Sequence, residues 1–449
     1  MSRLQFLFSR QQHHRLWSLA IPIIISNISV PLIGLIDTAM IGHLSAAYYL
    51  GGVALGSTII SMISWLLGFL RMSTTGLTAQ ASGKNDHNNS FKILLQSSAL
   101  ALILASVVLV LQTPILNSAL WFADASKEVI FYCKQYIEIR IWSLPFVLVN
   151  MVMLGWLLGQ KLPKVAMWQV IIANVINLLL DVWFIIILDW KVEGAAWASL
   201  IADMTAFVVA LIVVLKQCNK LPHTVISNWK ATLFKAGYIK LISLNTNIFI
   251  RSLCLQLTLT FMTFYAAKHG DNVLAANAIL LNLLLLISYG LDGIAYYAEV
   301  EVGNAYSQKK WQRLNNTVWM AWFWSGAVAA LFAFIFFSHG GLFIEMMTNV
   351  NAVIDSAKAH LFWLALMPLW AYSSYLFDGV FIGASKGSQM RNSMLFSTIV
   401  IFFPTWYLLQ DYDNHALWAA LSAFMFSRSA TLGAYFIYSD GLKNAHFDN

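Results

Sequence analysis

Apolar runs of about twenty residues recur along the chain, for example at 93–111, 165–188 and 320–337. Each is close to the roughly 20 residues a helix needs to cross about 30 Å of hydrocarbon. The runs neither alternate nor come in ten-residue pieces. Helices rather than a β-barrel are therefore expected to span the lipid, where every backbone polar group must find its partner within the protein. Composition agrees: 59% of residues are hydrophobic and 10% charged, too few charges to clothe a soluble surface.

Twelve segments are predicted, at 15–42, 49–80, 91–112, 128–158, 164–188, 193–216, 238–268, 271–306, 313–337, 353–383, 391–409 and 414–438. Several exceed the minimum length and contain Gly or Pro, so tilted and bent helices are expected. The chain also repeats itself. Arg15-Leu-Trp-Ser-Leu19 falls on Lys240-Leu-Ile-Ser-Leu244, Gly155-Trp-Leu-Leu-Gly159 on Gly379-Val-Phe-Ile-Gly383, and Trp197-Ala-Ser-Leu-Ile-Ala202 on Trp418-Ala-Ala-Leu-Ser-Ala423. These shifts of 225, 224 and 221 residues share one spacing and point to an internal duplication. Six spans per half start both halves on the same side, a parallel repeat of the kind that marks transporters. The halves are expected at 1–216 and 238–449, joined by a polar linker at 217–237.

Basic residues gather on one side of these segments; the other side holds only Lys127, Lys191, Lys268 and Lys358. By the positive-inside rule both termini are expected in the cytoplasm. The net charge of +7 is scattered as topology signals and calls for no nucleic-acid partner. The start of the chain does not read as a cleaved signal, because the apolar segment after it is long and lacks a small-residue cleavage site. Cys133, Cys218 and Cys254 have neither metal-ligand nor redox spacing.

The informative residues are polar ones inside apolar spans. Asp37 lies deep in segment one, near Pro22, Pro31 and Gly34, which provide for a bend. A charge at mid-membrane costs several kcal/mol, so it is normally placed toward a polar cavity. The alternative is that Asp37 belongs to an outer helix end and meets water. Segment five carries Asn174, Asn177 and Asp181 on one helical stripe, a set of oxygens suited to a hard monovalent cation or a hydrogen-bonded proton. Polar glue between helices is the structural alternative. Ser199 in segment six offers a hydroxyl, or merely bonds its own helix. The second half is polar elsewhere, at Asn245, Asn247, Arg251, Gln256, Asp292, Tyr296, Glu299 and Glu301. Ion chemistry is therefore expected in the first half. Arg71, Arg140 and Arg428 are expected to pair with carboxylates inside spans.

These residues and their order resemble the multidrug and toxic compound extrusion (MATE) family, in its DinF-like branch. The marks are Pro22, Asn27 and Asp37-Thr-Ala-Met-Ile-Gly-His-Leu44, then Leu70-Arg-Met-Ser-Thr-Thr-Gly-Leu-Thr-Ala-Gln80, Asn177-Leu-Leu-Leu-Asp181 and Asp378-Gly-Val-Phe-Ile-Gly383. The resemblance implies an all-α integral membrane protein with twelve transmembrane helices in two pseudo-symmetric six-helix bundles. It implies a secondary active multidrug antiporter of a bacterial inner membrane, exporting organic, often cationic amphipathic compounds in exchange for protons or sodium ions. Asp37, Asn177, Asp181, Ser199 and Asn174 would form the ion-coupling set, with sodium held at the first four. Ser199 departs from the threonine of some relatives, and the acid that another branch carries in mid-segment ten is missing here. Asp37, Asn27, Asp292, Tyr296 and Glu299 are the candidates to meet cargo.

No cofactor beyond the coupling ion is expected, and a single chain in the bilayer is expected to suffice. A lipid or lipid-linked precursor flippase of the same superfamily is the nearest rival; it calls for a cavity rich in basic residues. An enzyme is not expected, since no His-Glu-x-x-His or paired-aspartate catalytic motif is present. Asp37→Asn is predicted to abolish export while leaving membrane insertion intact. Wild-type drug resistance at equal expression would count against a coupling role.

Overall fold

The computed structural model describes residues 9–42, 47–123, 126–222, 229–234, 237–440 and 442–443; among these, the side chains of 30–42, 47, 122 and 123 are not described. The described residues are helical, without strands. Among the described residues, nine helices are long and apolar enough to cross a membrane. Three other predicted segments are helical as well, in Arg10–Gly42, the interrupted run 387–408 and Asn414–Tyr438, consistent with twelve spans. In chain order the elements that matter are α1 (Arg10–Gly42), α2 (Ala47–Leu66), α3 (Phe69–Gly83), α4 (His87–Val110), α5 (Gln112–Ala123), α6 (Lys127–Arg140), α7 (Leu144–Gly159), α8 (Pro163–Asp181) and α9 (Lys191–Cys218). After the short α10 (Trp229–Leu233) follow α11 (Tyr238–Ala267), α12 (Asp271–Ser307), α13 (Trp311–Met347), α14 (Asn351–Gly383), α15 (Gly387–Phe396), α16 (Phe403–Leu408) and α17 (Asn414–Tyr438). Segment nine reaches Met347, ten residues past its predicted end, because the polar His339-Gly-Gly341 stretch does not break the helix.

Many large apolar side chains are exposed, among them Val110, Phe334 and Phe337. Such surface is the solvent-facing side of a membrane protein, where the solvent is lipid. This is a multi-pass membrane protein.

Contacts divide the chain into two compact units, Ile25–Leu241 and Met1–Ile24 with Ile242–Asn449. The duplication is visible inside each. In the first, Gly155 and Gly159 of α7 lie on α3: a Cβ at Gly155 would stand 2.5 Å from the Arg71 carbonyl oxygen, and one at Gly159 2.7 Å from Thr78 Cβ. In the second, Gly379 and Gly383 of α14 press on the carbonyls of Ala295 and Glu299 in α12. The matched glycine pairs therefore perform the same task in each half, bringing the fourth span against the second at backbone distance.

The turns repeat as well. Asn85 and Lys309, and Lys161 and Ser385, each 224 residues apart, adopt left-handed backbone (φ between +54° and +66°) between consecutive helices. In each, the following residue's N–H returns to a carbonyl five positions back, as in Asp86 to Ala81 (3.0 Å) and Lys310 to Ala305 (3.0 Å). Both fifth spans contain a π-helical turn, Val182–Ile187 after α8 and Ser397–Phe402 before α16. Pro404 explains the second: it has no N–H for the carbonyl four residues earlier. The third repeat match has diverged. Trp418 is fully buried and donates to Asn277 Oδ1 (2.9 Å), whereas Trp197 is 41% exposed.

Helix α1 is where the contact units depart from the sequence halves. Its opening turns pack on second-half helices: Arg15 Nη2 donates to Glu301 Oε1 (2.7 Å), Trp324 Nε1 donates to His13 Nδ1 (2.9 Å), and Gly293 leaves room for the Ala20 carbonyl. Glu301, 2% exposed, also accepts from Arg313 Nη2 (2.9 Å). Two arginines around one buried carboxylate compensate its desolvation.

Because neither glycine contact has slack, Gly155→Val and Gly379→Val should each cost about 1–3 kcal/mol through overpacking. Gly326→Ala, where a Cβ would meet Tyr372 at an ordinary 3.5 Å, should leave the melting temperature nearly unchanged. Thermal unfolding of the purified variants in detergent reads the difference.

Candidate ion-coupling and cargo sites

Within the Ile25–Leu241 unit, the buried face of α8 is Ala166, Gln169, Ala173, Asn177 and Asp181. The last four stand four residues apart, so one stripe of a membrane helix carries a carboxamide, a methyl, a carboxamide and a carboxylate. Asn177 is 5% exposed and Asp181 1%. The amide nitrogens of Asn174 and Asn177 are enclosed and have no hydrogen-bond partner among the described residues. Asn174, half-buried, stands at the shoulder of the stripe. Ser199 is half-buried on α9, which packs along α8.

The stripe ends where the π turn begins, since Asp181 is the last α-helical residue before Val182–Ile187. The changed backbone winding there turns the chain just past the carboxylate, an arrangement that recurs at functional positions. Gln169 extends the stripe two turns toward the other face of the membrane, where its Nε2 donates to Asn150 Oδ1 of α7 (2.6 Å). The sequence reading left out both residues, although Gln169 lies eight positions before Asn177 on the same face. Asn150 has no partner pattern within its own helix and could be found only in three dimensions.

Helix α1 runs through Pro22 and Pro31 without a break. Pro22 is buried and Asn27 half-buried. The side chains of Asp37, Pro31 and Gly34 lie outside the described residues. Asp203, one turn past Ser199, forms an ion pair with Arg140, which also donates to Ser143 Oγ. That pair joins α6 to α9 and is a structural use of both charges.

The second-half unit has its own polar line. Asp292, Tyr296 and Glu299 occupy one face of α12, with the first two half-buried and Glu299 2% exposed. One turn before Asp292, Ser288 Oγ lies 2.6 Å from the Tyr375 hydroxyl of α14. Three residues further along α14, Asp378 Oδ2 accepts from Arg428 Nη2 of α17 (2.7 Å) and Arg251 Nη1 of α11 (3.2 Å). Asp378 and both arginines were visible as charges in apolar spans, and Arg428 was expected to find a carboxylate. Their assembly into one triad from three helices was not legible. The geometry makes Asp378 a bridge between helices, with both its neighbours cationic.

The model of the MatE family matches this chain twice, at residues 22–183 and 248–408, one match per half. The chain is 39% identical over 419 residues to DNA damage-inducible protein F of Escherichia coli (strain K12), covering 93% of this chain and 91% of that one. It is 23% identical over 398 residues to the probable multidrug resistance protein NorM of Photorhabdus laumondii, with 86% and 85% of the two chains covered. A solved MATE structure in the bent conformation superposes with a TM-score of 0.82 at 16% identity, over 99% of this chain and 98% of the other. The duplicated fold, the matched repeats and this near full-length relative agree: the chain belongs to the MatE family of membrane transporters, in its DinF-like branch.

Proposed function

We propose that this transporter is a secondary active exporter that exchanges inward-moving protons or sodium ions for organic, cationic amphipathic compounds. It acts as a single chain in a bacterial inner membrane, with both termini in the cytoplasm. The observation that carries the ion-coupling reading is the α8 stripe: a carboxylate 1% exposed, one turn from a carboxamide whose N–H2 group is enclosed, in a span that is mainly apolar. Retaining such groups in a membrane is costly and marks an ion or proton path. The names of relatives support the export reading, since they include a probable multidrug resistance protein and a multidrug export protein.

In this reading Asp181, Asn177 and Ser199 offer oxygen ligands beside Asp37, and a proton or a sodium ion neutralises the acids from outside. Bending of α1 at Pro22, Pro31 and Gly34 is proposed to follow the charge state. The ion then leaves inward, and the emptied carboxylates draw the next cation from the cytoplasm. Entry of one charge at 100 mV supplies about 2.3 kcal/mol before any concentration gradient is counted. Asp37, Asn27, Asp292, Tyr296 and Glu299 are the proposed cargo contacts. The flippase reading gains little from the triad, because its two arginines are already engaged by Asp378.

Liposomes holding the full chain, an imposed pH or sodium gradient and a fluorescent cationic dye test this reading. Dye should move uphill with one of the two gradients and stop on its collapse; movement indifferent to both would refute ion exchange. In the same vesicles Asn177→Ala and Asp181→Asn should flatten the pH or sodium profile. An unchanged profile would remove the α8 stripe from the site.

A further inference from the structure

We propose that a lysine-lined pocket at the polar edge of the Ile25–Leu241 unit binds the phosphate ester of an anionic phospholipid. The cavity, about 240 Å³, lies where α3 ends, α4 begins and the chain enters α11. Lys84, Lys92 and Lys240 line it together with the amides of Gln80, Asn89 and Gln96. One carboxylate, Asp86, shares the lining, but its Oδ1 caps α4 by accepting from the Asn89 N–H (3.0 Å). Three ammonium groups beside one carboxylate, itself used as a helix cap, give the pocket a net positive lining, and the Asn89 amide adds a neutral donor suited to phosphate oxygens.

The backbone is arranged around this cavity. Gly237 adopts φ +143°, and a Cβ there would stand 2.5 Å from Lys92 Nζ, so the backbone passes close beside that ammonium. Gln96, 3% exposed, donates to the Leu233 carbonyl (3.3 Å) and fastens the incoming segment to α4.

A lipid rather than a soluble phosphate is favoured by what surrounds the lysines. Phe234 and Ile239, 82% and 87% exposed, stand three residues before and two residues after Gly237, which lines the cavity. Bare aromatic and branched side chains next to a cationic pocket match a ligand with a charged head and acyl chains. The pocket stands at span ends on the lysine-rich side, where headgroups meet hydrocarbon. This site is separate from the export reading and does not depend on it.

The full-length protein in detergent is titrated with phosphatidylglycerol and, separately, phosphatidylcholine, with bound lipid counted by native mass spectrometry. Phosphatidylglycerol should bind more tightly, and Lys84→Gln with Lys240→Gln should weaken it about fivefold per lysine, while the Lys→Arg pair keeps the affinity. Both lysines are exposed, and the Arg pair shows that any loss comes from charge rather than misfolding. Equal phosphatidylglycerol affinity in wild type and the Gln pair would overturn the site. Displacement of the lipid by millimolar inorganic phosphate would overturn the lipid assignment and leave a site for a free anion.

Discussion

Gly155 and Gly159, and their counterparts Gly379 and Gly383, let two helices meet backbone to backbone in a solvent that gives helices no hydrophobic reason to associate. In lipid, close packing and polar bonds must do this work. In each half the second and fourth spans form a tight pair, and in the first half the fifth span buries Gln169, Asn177 and Asp181. The same pair recurs 224 residues on with the same left-handed turns, so the duplication preserved the backbone geometry more faithfully than the side chains.

On this shared frame the halves diverged in chemistry. The first carries amides and an acid along α8, with nothing cationic among its buried stripe residues. The second binds two of its carboxylates to pairs of arginines, Asp378 to Arg251 and Arg428, and Glu301 to Arg15 and Arg313. A carboxylate already held by two guanidinium groups has little left to offer a passing cation, because its charge is compensated and its lone pairs are occupied. The halves thus differ in chemistry, with arginine-paired carboxylates in the second and an amide-flanked carboxylate on α8 in the first.

Much of this was legible beforehand. The spans were readable because hydrocarbon thickness dictates the length of an apolar run, and the α8 stripe because Asn177 and Asp181 are four residues apart on a helix. Gln169 was equally available from the same periodicity and was passed over. The π turn after Asp181 was hidden, since Val182–Ile187 is an unremarkable apolar string whose winding depends on its neighbours, such as the Gly194 contact with Phe184.

The amino-acid sequence by itself determined that this is a duplicated helical membrane protein and which helix faces are polar, since both follow from period and composition alone. Only the tertiary structure decided which charges are spent on each other and which space the lysines enclose. Asp378 meets Arg251 and Arg428 across 127 and 50 residues of chain, and Glu301 meets Arg15 across 286. Such pairings depend on how separate helices cross, and no local pattern encodes the distance between two of them.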